Sequence, residues 1–100
     1  MLNEEYTKEE QGEIILVNTI EEIVKHTVDD IINSMDMCTC KTCRLNACAI
    51  ALNNLIPHYV TTTIGTLLAK IPTEMINYHT IVLVEVTKAL MIVKQHPMHK

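Results

Sequence analysis

Glycine is scarce in this chain: 100 residues contain two, Gly12 and Gly65. A phosphate-cradling loop needs several glycines close together so that backbone amides can approach the ligand, and none is present. Arginine is scarcer, with Arg44 the single copy, and the formal net charge is −4. That balance argues against a broad nucleic-acid surface, so no direct nucleic-acid binding is expected. No second acid–base residue stands in register with a nucleophile, which leaves an enzyme without its parts. The N-terminus places Glu4, Glu5, Glu9 and Glu10 where a secretory signal would be basic, and no apolar run reaches the roughly 18 residues of a membrane span. The expectation is a cytoplasmic protein with no membrane span.

What is present is concentrated. All four cysteines, Cys38, Cys40, Cys43 and Cys48, fall within C-T-C-K-T-C-R-L-N-A-C. In a reducing compartment such clusters are more often metal ligands or redox groups than structural disulfides. Cys38-x-Cys40-x-x-Cys43 is a loop-type spacing that can turn three thiolates toward one point, as a tetrahedral zinc ion requires. A thiol–disulfide switch at Cys40 and Cys43, or unligated thiols, are the other readings. Structural zinc takes four ligands, and the fourth is open: Cys48, His96 or His99, His58, or an external donor. Cys48 lies on an apolar helix face with Leu45, Ala49, Leu52, Leu55 and Ile56. On a continuous helix it would be roughly 140° around the axis from Cys43, so it fits the site only if the helix begins after Cys43.

In chain order, residues 1–12 read as an acidic flexible tail and 13–100 as a single domain. Glu13 to Val17 is an apolar lead-in. Asn18 can cap a helix, with Glu21 able to reach back to it. The stripe Ile20, Ile23, Val24, Val28, Ile31, Ile32 and Met35 predicts a first helix. A second helix follows the cysteine loop and stops near Leu55, because Pro57 disfavours helical geometry before it. Tyr59 to Thr63 favours a strand, and Gly65 offers a turn to a partner at Thr66 to Lys70, so a short β-hairpin near 59–70 competes with a helical turn at Ile64 to Lys70. Pro72 and Thr73 then open the longest helix, Glu74 to about Lys94. Its apolar residues, Val86 among them, cover most of its circumference, and burial of that face in a homodimer is the economical answer.

His26 and His79 read as surface or half-buried residues of amphipathic helices. Met35, Met37, Met75, Met91 and Met98 read as core filler. Arg44 and Tyr59 offer a guanidinium and an aromatic ring, the pair that stacking on a nucleobase needs. The bland alternative has Arg44 solvated or paired with an aspartate of the first helix and Tyr59 in the core.

The order C-x-C-x-x-C, then Ala49-x-Ala51-Leu52-Asn53, then Pro57-x-Tyr59-Val60, then a glycine-containing segment and an apolar C-terminal helix ending near a histidine, resembles the late-competence protein ComFB family. The similarity runs from about Asn18 to His99, and its specific part is Cys38 to Val60. The resemblance implies a small, mainly α, non-enzymatic homodimer that binds Zn2+ through its cysteines. It also implies association with competence, DNA-uptake or pilus proteins and binding of a cyclic dinucleotide, cyclic di-GMP or cyclic di-AMP. The function expected is therefore a regulatory module that reads the nucleotide through Arg44 and Tyr59, and the alternative is a structural adaptor that docks onto the competence or pilus machinery.

Overall fold

The computed structural model describes residues 12–97, so the acidic tail, apart from Gly12, together with Met98 and His99, lies outside the described residues. Strand β1 (Ile15–Asn18) runs directly into helix α1 (Thr19–Ile32). Asn18 is the cap the sequence marks: its extended backbone turns the chain, and its Oδ1 accepts the Ile20 amide at 3.1 Å. One face of α1 buries Ile20, Ile23, Val24, Val28 and Ile32, spaced by three and four. The helix ends three residues earlier than Met35, where the Ser34 hydroxyl and amide both donate to the Ile31 carbonyl.

Helix α2 (Lys41–Asn53) begins before Cys43, not after it. Its N-cap is Cys40, whose Sγ accepts the Cys43 amide at 3.5 Å, a capping role that the metal reading of the loop did not anticipate. The inward side chains of α2 are Cys43, Ala47, Cys48 and Ala51, all small, so α1 and α3 can approach it closely. It stops at Asn53, just short of the expected Leu55.

Strand β2 (Tyr59–Thr62) confirms the extended reading of the start of this segment, but its partner is not 66–70. It pairs antiparallel with β1, Ile15 opposite Thr62 and Asn18 opposite Tyr59, so the two-stranded sheet closes a long-range connection rather than a local hairpin. The residues after it are helical. Helix α3 (Ile64–Gln95) starts eight residues before Pro72, where Thr63 Oγ1 accepts the Thr66 amide at 3.1 Å and supplies the cap. Pro72 therefore sits inside a helix, where it cannot donate to the Leu68 carbonyl. Of the turns before it, Ile71 is buried, and nothing lies within 4 Å of a Cβ built at Gly65.

The C-terminal half of α3 completes a three-helix core. Val82, Val86, Ala89, Leu90 and Val93 pack with the buried faces of α1 and α2. This corrects the expectation for Val86, which is buried within its own chain and not held for a second subunit. The apolar residues left outward on α3 are Leu68, Ile76, Ile81, Val84, Met91 and Ile92. Of the methionines, Met35, Met37 and Met75 pack against the core, whereas Met91 is half-exposed. By length and composition α3 is apolar enough to cross a membrane, with a mean hydropathy of 1.4 over 18 residues, which counting uninterrupted apolar runs did not reveal. In the fold, one side of that segment is the core of the domain.

Candidate metal centre

The loop between α1 and α2 has few backbone hydrogen bonds of its own, so side chains hold it. Cys38 and Cys40 are exposed, Cys43 is buried on the first turn of α2, and the three sulfurs lie within 4.8 Å of one another. Sulfurs at about 2.3 Å from a tetrahedral ion sit about 3.8 Å apart, so a small contraction of the loop suffices. These three residues could hold a metal ion.

Their electrostatics are unequal. The Cys43 amide aimed at Cys40 Sγ, with help from Cys38, lowers the Cys40 thiol from 9.0 to about 7. Burial, then the neighbouring sulfurs of Cys38 and Cys40, pushes Cys43 up to about 12. A bound cation reverses the second effect, since it supplies the positive charge that three close thiolates require.

Cys48 is elsewhere. It is buried in the core, burial raises its thiol, and the charges acting on it are Asp29, Lys25 and Glu21 of α1. Among the described residues, the sulfur cluster contains Cys38, Cys40 and Cys43 without it. Among the described residues, no histidine joins the cluster. His58 Nδ1 is 2.9 Å from Thr19 Oγ1 at the sheet end of α1, and its ring is 5.9 Å from that of Tyr78. His96 lines a cleft of about 340 Å³ with Asn46, Ala49, Ile50 and Asn53. His26 and His79 are exposed, as expected.

Arg44 is a fastener here. Its Nε donates to the Thr39 carbonyl at 2.8 Å and its Nη1 to Asp29 Oδ1 at 3.0 Å, tying the cysteine loop to α1. Tyr59 is 62% exposed, not in the core, and pairs with Asn18 at the other end of α1. Asn18 and Asp29 are eleven residues apart, about 16 Å of helix, so one chain does not bring Arg44 and Tyr59 together.

Sequence reasoning missed a second clasp. Asn18 Oδ1 accepts the His58 amide at 2.9 Å as well as the Ile20 amide, and the Thr19 amide donates to the His58 carbonyl at 2.9 Å. Beside it, Ile20, Leu55, Pro57, His58, Tyr78 and Val82 border an apolar cavity of about 400 Å³. No local pattern signals a contact between residues 40 positions apart.

The family model described as late competence development protein ComFB matches residues 17–97. No curated protein matches the chain. Among solved structures, the late competence protein ComFB from Bacillus subtilis is similar, with 29% identity over 83% of this chain and 94% of that one and a TM-score of 0.70.

Proposed function

Because the chain belongs to the ComFB family of late competence development proteins, we propose that it is a non-enzymatic, zinc-stapled homodimer that works in the cytoplasm as a docking module of the competence or pilus machinery. The observation that carries this reading is the cluster of Cys38, Cys40 and Cys43 at the junction of α1 and α2, built from the ligands structural zinc prefers. The second copy accounts for the outward apolar residues of α3: Ile76, Ile81, Val84, Met91 and Ile92 form more exposed apolar surface than a solvated helix carries singly. Elemental analysis should find about one zinc per chain, and sedimentation should find a dimer that Val84→Glu weakens while the monomer fold persists. Metal-free protein, or a monomer at micromolar concentration, refutes the corresponding half.

Binding of a cyclic dinucleotide is the second reading, favoured by the exposed ring of Tyr59. A two-fold axis can present Arg44 and Tyr59 of both subunits to a two-fold symmetric ligand, provided that Arg44 exchanges Asp29 for a phosphate or base. Calorimetry with cyclic di-GMP and cyclic di-AMP separates the two. Heat that Arg44→Lys reduces supports the regulatory module, and its absence leaves the adaptor.

A further inference from the structure

Cys40-Lys41-Thr42-Cys43 makes up the cap and first turn of α2, with a cysteine at each end of that turn. Across one helical turn two Cα atoms are roughly 5 to 6 Å apart, inside the span that a disulfide bridges. The two side chains already meet: Cys40 Sγ lies 3.5 Å from the Cys43 amide, and the sulfurs of Cys38, Cys40 and Cys43 lie within 4.8 Å of one another. The backbone beneath them is pinned. Arg44 donates its amide to the Cys40 carbonyl at 3.0 Å and its Nε to the Thr39 carbonyl at 2.8 Å. Closing an S–S bond therefore takes rotation of two side chains and no refolding of the loop.

Exposure gives the two sulfurs different parts. Cys40 is at the surface, where a solute can reach it, and Cys43 is buried behind it, where a neighbouring sulfur is what reaches it. An accessible attacking thiol backed by a shielded second one is the arrangement of redox-responsive cysteine pairs. Cys48 is packed in the three-helix core, outside this group of sulfurs. We propose that Cys40 and Cys43 form a reversible disulfide when the protein meets a hydroperoxide, and that forming it withdraws two of the three sulfurs from the ion. The Cys40 sulfur attacks hydrogen peroxide, the O–O bond breaks, and Cys40 becomes a sulfenic acid as the first water leaves. The Cys43 sulfur then attacks the sulfenic sulfur, the S–O bond breaks, and the second water leaves. Two thiols and one peroxide thus give one disulfide and two waters; from the ligated thiolates, the same steps take two protons from solvent and free the ion. Withdrawal from the ion rests on the metal reading above, whereas the disulfide itself does not.

Peroxide titration tests both halves. The full-length protein, purified under reductant and analysed for zinc, is treated with hydrogen peroxide while a chromogenic chelator follows zinc and peptide mapping locates disulfides. The expected result is an intramolecular Cys40–Cys43 disulfide with a mass loss of about 2 Da, one zinc released per disulfide, and recovery of both on adding dithiothreitol and zinc. Cys48→Ala should behave as the unmodified chain, and Cys43→Ser should stop at a sulfenic acid on Cys40 that dimedone traps. A disulfide that uses Cys38 or Cys48, a bond between two chains, or no disulfide would overturn the proposal. A Cys40–Cys43 disulfide formed with zinc retained would overturn the withdrawal from the ion. Protein free of zinc before peroxide would overturn the metal reading, and the map of disulfides then decides the pairing by itself. Should Cys43→Ser fail to fold, the map of the unmodified chain still decides.

Discussion

The α1–α2 pair is fastened at both ends, by different chemistry. At the loop end, Cys38, Cys40 and Cys43 converge while Arg44 bridges Thr39 and Asp29. At the sheet end, Asn18 and Thr19 grip the backbone and ring of His58. Fasteners matter here because the inward face of α2 is Cys43, Ala47, Cys48 and Ala51, which bury little apolar area each. The sheet end is assembled from amides, carbonyls and short side chains that fold in place. The loop end gathers three thiols that, once ionised, would repel one another unless a cation joined them, so its strength would be set from outside the chain.

The largest test of this contrast is metal removal. Binding of structural zinc to small domains is worth about 10 to 16 kcal/mol, so chelation should lower the melting temperature steeply and increase amide exchange in the loop before the sheet. An unchanged melting temperature would make the two ends equivalent and break the comparison. At the other end, Asn18→Ala removes the cap of α1 and the acceptor for the His58 amide together, and should cost about 1 to 2 kcal/mol without changing metal content. Denaturant melts with parallel metal analysis check both parts.

Acidity sharpens the contrast in metal-free protein. Cys40 is lowered from 9.0 to about 7, so its contribution is present above pH 9 and is lost as pH falls through 7. Cys43 is raised to about 12, so its contribution is complete below pH 9 and is lost as pH climbs toward 12. Melting temperatures should peak near pH 9, and Cys40→Ser should flatten the lower limb. At neutral pH, iodoacetamide should modify the exposed Cys40 before the buried Cys43 and Cys48, a ranking that peptide mapping reads directly. The smallest effect belongs to Arg44→Ala. Its pair with Asp29 is partly exposed, so about 0.2 to 1 kcal/mol is expected, fading at high salt. A cost of several kcal/mol would move the main fastener of the loop end from the sulfurs to Arg44.

Legibility in the sequence followed the range of the interaction. Asn18 as a cap, the stripe of α1 and the convergence of Cys38, Cys40 and Cys43 are all set within a few residues, and each appears where periodicity and spacing placed it. Pro72 is a strong local signal for a first turn, whereas the helix already starts at the Thr63 cap and continues past the proline. The hairpin failed for a related reason: Tyr59 to Thr62 has strand character, but its partner, β1, is more than 40 residues away. Apolar content alone could not divide α3 into faces, so Val86 looked available to a partner.

Local chemistry determined by itself that the chain would be mainly helical, with a thiol-rich loop between its first two helices, because caps, helical periods and close ligand spacing act over a turn or two of backbone. Only the tertiary structure decided that Arg44 is engaged by Asp29, that Tyr59 lies about a helix length away from it, and that Cys48 belongs to the core and not to the sulfur cluster. Those outcomes depend on the relative rotation and direction of α1, α2 and α3. That rotation is set by how the small face of α2 fits between its two larger neighbours, a fit no single segment contains.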